Sequence, residues 1–170
     1  VPELLAAISP LLKDNVRAVR VEAARRIAPY VAQLDAAFRP AFDRAIAEYE
    51  AVQQGNLDRP EAWLNLGNLH AMRGDPAAAE AAYREALKRD PRFVPAYVNL
   101  ADIRREQQRE ADTEGILREG LRVVPNAPAL REALGLALVR QGKKGAALTE
   151  FAAASKSTPA EARYAYLYAL

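Results

Sequence analysis

Residues 60–91 read PEAWLNLGNLHAMRGDPAAAEAAYREALKRDP, and this stretch decides the fold of the chain. Leu66 and Gly67 follow Trp63 by three and four residues, so the three side chains share one face of a helix. After the turn sequence MRGDP, a second helical pattern follows, and Tyr83 lies on its apolar face. The stretch therefore predicts a helix, a tight turn and a second, antiparallel helix.

The same pattern returns at a spacing of 34 residues. Its windows begin at Pro60, Val94 and Pro128. The equivalent positions in the second window are Tyr97, Leu100, Ala101, Leu117, Gly120 and Pro125, and those in the third are Leu134, Gly135, Ala147, Phe151, Ala154 and Pro159. An internal repeat of this length is typical of stacked helical hairpins. The predicted fold class is all-α, a right-handed α-solenoid of antiparallel hairpins.

Small residues stand where the two helices of a hairpin should meet. Gly67 with Ala79, and Gly135 with Ala147, are predicted to let the helices approach closely. Three larger side chains are predicted to fill the space between hairpins, namely Tyr83, Leu117 and Phe151.

These residues resemble the tetratricopeptide repeat family, whose W-x2-L-G-x2-Y, A-x3-F-x2-A and terminal-P pattern is met by residues 60–93. The resemblance implies a superhelix whose function is to bind other proteins. His70 stands where the family has Tyr, and Arg131 stands where the first aromatic of the third unit is expected. Thr113 and Gly120 stand where Ala is usual. We expect these departures to weaken individual packing sites without changing the architecture.

The chain divides into two predicted segments. Residues 1–35 form a HEAT-like helical segment, because the phrase D-x-VR-x-VR-x-x-AA resembles a HEAT repeat, with Asp14 or Asn15 as the helix cap. Residues 36–170 form the tetratricopeptide domain. Its parts are a partial unit at 36–59, full units at 60–93, 94–127 and 128–161, and a truncated or capping helix at 160–170.

Both ends of the sequence suggest a fragment of a larger protein. The start, VPELLAAISP, lacks the order of a signal peptide, and the end, ARYAYLYAL, stops inside an apolar helical pattern. The aromatic face of residues 160–170 predicts a homodimer or a contact with the remainder of the parent protein. Apolar runs are too short for a membrane span. We expect a soluble protein and leave cytoplasm or periplasm open.

Composition argues against several classes of function. The net charge is +2 and the charged residues are interspersed, which argues against a nucleic-acid partner. No cysteine is present, which excludes thiolate metal sites and covalent haem attachment within these residues. His70 is the single histidine and lies on a packed face. The sequence therefore predicts no enzyme, no metal and no cofactor.

Four arginines of the early helix have two alternative roles. Arg17, Arg20, Arg25 and Arg26 could contact an acidic partner or phosphates, or they could pair with acidic residues of neighbouring helices. We favour the structural role, since Asp14 lies nearby and aromatic residues do not alternate with these cations.

The resemblance places the binding surface on the first helices of successive units, which line a concave groove. The predicted groove residues are Leu64, Asn65, Asn68 and Met72 in the first unit, Val98, Asn99, Asp102 and Arg105 in the second, and Glu132, Leu136 and Arg140 in the third. The predicted partner is a protein or peptide segment of unknown identity.

Asn65 and Asn99 share one repeat position, and a side-chain amide can donate to and accept from a peptide backbone. The alternative is that both are polar residues on a solvated face. The dicarboxylate clamp of chaperone-binding members is a different chemistry, and it requires basic residues. Leu64, Ala129 and Ala133 occupy those basic positions here, which argues against the clamp.

The predicted function is a protein-binding scaffold that holds a segment in the groove. The alternative is an assembly module that joins subunits or domains of a larger protein through its terminal helices. The order of a HEAT-like segment followed by these repeats is also similar to the C-terminal part of certain bacterial multihaem c-type cytochromes. That similarity implies an exported, redox-linked parent whose haem motifs lie upstream.

Overall fold

A computed structural model describes residues 1–157 of the chain. The α-helices of this range are α1 (Pro2–Ile8), α2 (Arg17–Ile27), α3 (Arg39–Gln54), α4 (Pro60–Met72), α5 (Pro76–Arg89), α6 (Val94–Glu106), α7 (Glu110–Val123), α8 (Pro128–Arg140) and α9 (Lys144–Ser157). Short 3-10 helices occupy Ser9–Lys13, Ala28–Gln33 and Ala36–Phe38. The predicted helix at 160–170 lies outside the described residues.

The helix starts follow the predicted period. The first helices of the three full repeats, α4, α6 and α8, begin at Pro60, Val94 and Pro128, and the second helices, α5, α7 and α9, begin at Pro76, Glu110 and Lys144. A proline in the first turn fits because its missing N–H would have no helical partner there. The prediction of an all-α fold built of helical hairpins is confirmed.

The chain forms two compact units, Val1–Ala82 and Tyr83–Leu170. In the first unit, α2 and α3 pack on each other and on the 3-10 helices around one apolar core. Its most completely buried side chains are Ala24, Ile27, Ala45 and Ile46, and Leu69 of α4 joins the same core. Phe42 and Leu12 complete this core from α3 and the first 3-10 helix.

The early arginines are held by carboxylates of their own unit. Arg20 donates two hydrogen bonds to the Glu48 carboxylate, at 3.0 and 2.8 Å. Arg17 donates to the backbone oxygen of Glu48 at 2.9 Å. The remaining pairs join Glu22 to Arg25 and Arg26 at 3.1 and 2.8 Å. These contacts support the structural interpretation of the four arginines.

The predicted cap of α2 is wrong. The helix begins at Arg17, and its N-cap is Val16, which has extended backbone angles and is 56% exposed. The Asp14 Oδ1 atom accepts from the Val16 N–H at 2.7 Å and so closes a turn ahead of the helix. Asp14 therefore stabilises the turn before α2 rather than the helix terminus.

The second unit has its own core, formed by α6, α7, α8 and α9. Leu130, Leu134 and Ala137 of α8 are fully buried in it. A Cβ atom added at Gly135 would lie well under 3.0 Å from the Phe151 ring. Because no side chain fits at that distance, Gly135 makes room for the aromatic ring. The predicted pairing of Gly135 with Ala147 did not include this ring and stays a prediction.

Two departures from the family pattern have compensating contacts. A Cβ atom added at Gly120 would lie 2.9 Å from both Leu130 and Tyr97, so the glycine admits two large core side chains. The single O–H of the buried Thr113 is shared between the backbone oxygens of Arg109, at 3.1 Å, and Ala101, at 3.4 Å. The second of these bonds joins α7 to α6. At these two positions the expected weakening is offset.

The third departure preserves a hydrogen bond that all three repeats share. In each repeat, the fourth residue donates to the backbone oxygen six residues earlier. The three bonds run from Trp63 to Leu57 at 2.9 Å, from Tyr97 to Pro91 at 3.1 Å and from Arg131 to Pro125 at 2.8 Å. Arg131 also donates to Glu150 at 2.8 Å. The guanidinium therefore replaces an aromatic side chain as the donor.

Gln108 occupies a turn position that glycine fills in the neighbouring repeats. Gly74 and Gly142 have φ of 76° and 75°, and Gln108, at the same repeat position, has φ of 59°. Left-handed backbone costs a residue with a Cβ atom about 1–2 kcal/mol. Since glycine also loses more chain entropy on folding, we expect Gln108→Gly to raise the free energy of unfolding by about 0.5–1 kcal/mol. Urea unfolding followed by circular dichroism measures it.

The neighbouring residue supplies the control. Gln107 has φ of −79°, which any residue adopts, so Gln107→Gly should give no gain. Equal stabilisation by both variants would contradict the strain at Gln108.

Candidate functional site

The second unit contains an open cleft of about 300 Å³ between α6 and α8. Six predicted groove residues line it, namely Val98, Asp102 and Arg105 from α6 and Glu132, Leu136 and Arg140 from α8. The spacing explains this arrangement, because residues three, four and seven apart share one helix face. The structure thus brings together six of the eleven predicted positions.

Five further residues of the cleft were not predicted to line the groove. Ala101, Ala129 and Ala133 come from the same two helices, while Thr113 and Leu117 come from α7. The repeat pattern assigns second helices such as α7 to the outer wall, so it gave no signal for these two. The side chains of Ala129 and Ala133 are short, so they leave the cleft open down to Thr113 and Leu117 of α7.

The floor of the cleft is apolar and its rim is charged. Val98, Ala133 and Leu117 form part of the floor, and Leu136 is 38% exposed at its edge. On the rim, Arg105 donates to Asp102 at 3.0 Å. Such a surface can hold an apolar side chain while its rim meets charged groups of either sign.

Arg140 is fixed by a carboxylate of α7. Its guanidinium donates to both carboxylate oxygens of Glu110, at 2.7 and 3.2 Å. Bidentate pairs of this kind hold a side chain in one orientation. Glu110, which is not a lining residue, therefore holds Arg140 at the rim of the cleft.

Glu114 anchors a charge cluster next to this pair. Lys143 donates to its carboxylate at 2.9 Å and Arg118 at 2.8 Å. The hydrogen bond from Lys143, followed by that from Arg118, lowers the pKa of Glu114 from 4.5 to about 2. The cluster joins α7 to the turn between α8 and α9, which stabilises the elements that carry the cleft.

We expect Glu114→Gln to lower the free energy of unfolding by about 1–2 kcal/mol at pH 7, since both cations are half exposed and screened. The pKa of Glu114 is depressed in the folded state, so its stabilisation is complete above pH 4.5 and falls as the pH approaches about 2. The two proteins should therefore converge in stability between these pH values. Urea unfolding at pH 7, 4 and 3 measures this, and a constant difference would contradict it.

The predicted groove residues of α4 lie in the first unit and belong to its packing. Asn65 donates to the side-chain oxygen of the buried Gln53 at 3.0 Å. Met72 packs against the apolar core of this unit. Leu64 and Asn68 are half-buried on the same helix. Asn65 thus already has a hydrogen-bond partner on α3, which favours a structural role at this position.

Asn99 also has a partner within its own unit. A side-chain hydrogen bond joins it to Tyr83, whose pKa is raised by burial and lowered in part by this bond. Asn99 is absent from the lining of the α6 and α8 cleft. The assignment of the groove to the eleven residues remains a prediction. Six of these residues, all in the second unit, line the cleft.

A family model for the tetratricopeptide repeat matches residues 41–92, 72–129, 98–162 and 132–170. The chain belongs to the tetratricopeptide repeat family. Its members are protein-interaction scaffolds, and their fold is typically non-catalytic. The model leaves residues 1–40 unmatched, so the HEAT-like segment stays a prediction.

Solved tetratricopeptide structures share the fold at low sequence identity. The MamA protein covers 96% of this chain with a TM-score of 0.58 and 15% identity, and this chain covers 97% of it. The tetratricopeptide protein TTC0263 of Thermus thermophilus covers 99% with a TM-score of 0.59 and 15% identity, and 99% of it is covered. PilF of Pseudomonas aeruginosa covers 90% with a TM-score of 0.61 and 20% identity, and 68% of it is covered. These likenesses confirm the predicted helical-repeat solenoid class.

The sequence relatives match only one part of the tetratricopeptide chain. Protein O-mannosyl-transferase TMTC1 of Mus musculus is 34% identical over 67 residues, and its Homo sapiens counterpart is 33% identical over 67. The match covers 39% of this chain and spans 7% and 8% of those relatives. None of the helices within residues 1–157 combines the length and apolar character needed to cross a bilayer.

Proposed function

We propose that this tetratricopeptide protein binds a peptide or protein segment in the cleft between α6 and α8. The observation that carries the proposal is the convergence of Val98, Asp102 and Arg105 with Leu136 and Arg140 around one open cleft. These positions were predicted from the resemblance to the tetratricopeptide family, and they come from first helices of successive repeats.

The cleft favours a segment with one aliphatic anchor and charged neighbours. Its floor offers Val98, Leu117 and Leu136 as apolar contacts, and burial of a partner's Leu or Val side chain there removes apolar surface from water. Arg105 is paired with Asp102 and Arg140 with Glu110, so charged groups of the partner would meet these ion pairs at the rim rather than lone charges. This mixed rim selects the anchor by its flanking charges.

The role that we propose is binding without catalysis. Asp102 and Arg105 neutralise each other at 3.0 Å, and His70, the only histidine of the chain, is half-buried on α4. Within residues 1–157, no three His, Asp or Glu side chains are grouped so as to hold a metal ion. The transferase named among the relatives aligns with this chain over only 67 residues, so its activity is not carried over.

A peptide display library tests the proposal. The library is selected on the native protein only, and Leu136→Asp, which places a charge at the edge of the apolar floor, is kept for the binding measurements. Peptides that survive are synthesised, and their Kd is measured by fluorescence anisotropy. We expect an aliphatic residue with charged neighbours in these peptides, and at least a tenfold rise in Kd with Leu136→Asp, equivalent to about 1.4 kcal/mol.

Leu148→Asp is the matched control. Leu148 is 40% exposed, close to the 38% of Leu136, but it lies on α9 and outside the cleft lining. We expect its Kd to stay within twofold of the native value. Equal losses in the two variants, with unchanged helicity, would show that the peptides bind elsewhere.

The predicted assembly role depends on residues 160–170, which lie outside the described residues. Solution mass of the native protein and of Leu136→Asp separates the two roles. A monomer that binds the selected peptides supports the cleft, whereas a dimer that loses peptide binding on dilution supports assembly.

A further inference from the structure

The first unit has a second cleft, of about 660 Å³, that the proposed peptide site does not use. It lies where the end of the first 3-10 helix faces α2 and the first half of α3. Its lining residues are Leu12, Lys13, Asp14, Asn15, Arg20, Ala37, Pro40, Ala41, Arg44 and Glu48. The lining therefore contains three cations and two carboxylates. The charge that a ligand meets depends on which of these groups are already paired with each other.

Both carboxylates of this cleft are engaged by the protein itself. Glu48 accepts two hydrogen bonds from Arg20, and Arg17 approaches it at 3.8 Å from the rim. Asp14 accepts from the Val16 N–H at 2.7 Å. The negative charge of Glu48 is therefore shared between two guanidinium groups, which leaves an excess of positive charge around the cleft.

Two cations of the lining carry no ion pair within residues 1–157, and these are Lys13 and Arg44. The Lys13 ammonium lies 4.9 Å from the centroid of the Phe38 ring. This cation–π contact holds the ammonium in place without neutralising it. Arg44 is exposed on α3. A ligand carboxylate could therefore pair with either group without breaking an existing ion pair.

Apart from its charged groups and Asn15, the cleft is lined by apolar residues. Leu12, Ala41 and Pro40 line the cleft beside the two cations. An acidic side chain with an aliphatic neighbour matches this combination of unpaired cations and apolar residues.

We propose that the Lys13 and Arg44 cleft is a second binding site, and that it takes an acidic protein segment in which carboxylates alternate with aliphatic side chains. The carboxylates pair with Lys13 and Arg44, and the aliphatic groups cover the exposed side chains of Ala37 and Pro40. This site lies in the first unit and the cleft between α6 and α8 lies in the second. The chain then has two separate sites that prefer ligands of different charge.

A labelled peptide tests this site. The probe is a fluorescein-labelled octapeptide of alternating Glu and Leu, and its anisotropy is followed as the full chain is added. Peptides with Gln or Lys in place of Glu are the comparison probes. We expect the Glu peptide to bind at least tenfold more tightly than either, and its Kd to rise with salt because paired charges are screened.

Variants assign the binding to the cleft. Lys13→Gln with Arg44→Gln should raise the Kd of the Glu peptide at least tenfold. Arg92→Gln with Lys144→Gln removes the same net charge from cations outside this cleft and should change Kd less than twofold. Equal losses in the two double variants would overturn the site, since net charge alone would then explain the binding.

Competition distinguishes a protein segment from other anions. Unlabelled Glu peptide should displace the probe, while inorganic phosphate and an oligothymidine octamer at equal concentration should not. Displacement by either of these two with the same affinity would overturn the assignment to an acidic protein segment.

Discussion

Phe151→Ala is expected to lower the free energy of unfolding by about 3–5 kcal/mol, the range for removing a large buried aromatic side chain. Phe151 is 3% exposed and packs against α8 in the core of the second unit. Urea unfolding of the full chain, followed by circular dichroism at 222 nm, measures the loss. Leu148→Ala on the same helix is the control, because Leu148 is 40% exposed and should cost less than about 0.5 kcal/mol.

The close approach of Phe151 to Gly135 provides a second test of this packing. In the native protein, Gly135→Ala should cost about 1 kcal/mol, because overpacking against the ring exceeds the gain in helix propensity. In the Phe151→Ala background the ring is gone, so the same change should stabilise by about 1 kcal/mol. A Gly135→Ala effect of one sign in both backgrounds would contradict the contact.

Arg131→Leu is expected to destabilise the chain by about 2–3 kcal/mol, because it removes two hydrogen bonds made by a charged group and leaves Glu150 without its partner. Arg131 donates to Glu150 and to the Pro125 oxygen, both at 2.8 Å. The side chains of Arg131 and Glu150 are 24% and 16% exposed, so water replaces these bonds only in part. The midpoint of urea unfolding measures the loss.

The second repeat supplies the rescue variant. Tyr97 and Ile116 stand 34 residues before Arg131 and Glu150. The double variant Arg131→Tyr, Glu150→Ile therefore copies a combination that already folds in this chain. We expect it to lie within about 1 kcal/mol of the native stability, whereas Arg131→Tyr alone leaves a carboxylate unpaired and falls below it. A double variant as unstable as Arg131→Leu would contradict the equivalence of the two donors.

The three helical hairpins from Pro60 onward were predictable from spacing. Prolines and apolar residues at a period of 34 place the helix starts at Pro60, Val94 and Pro128, and the structure has them there. Such a period appears in a sequence because the side chains on one face of each helix are buried in the same core. The sequence does not show which side chain a small residue contacts. Gly135 was paired with Ala147, and the spacing gave no sign that the Phe151 ring fills the place where a Cβ atom at Gly135 would stand.

The candidate site was predictable in part. The family resemblance assigns the groove to the first helices, and helix periodicity then groups the residues of one face, so Val98, Asp102 and Leu136 were expected together and do line the cleft. Hydrogen bonds between distant side chains do not follow from periodicity. The bond from Asn65 to Gln53 and the bond between Asn99 and Tyr83 were therefore missed, although both bear on the role of the two asparagines.

The shared hydrogen bond at the start of each repeat gives the three repeats different responses to dissolved ions. Trp63 and Tyr97 make the bond with neutral donors, whose strength barely depends on ionic strength. Arg131 makes it with a cation that is tied to Glu150, and added salt weakens such a pair by screening. Raising the salt concentration should therefore loosen the third hairpin before the other two, so that amide hydrogen exchange in α8 and α9 would report the ionic surroundings of the chain.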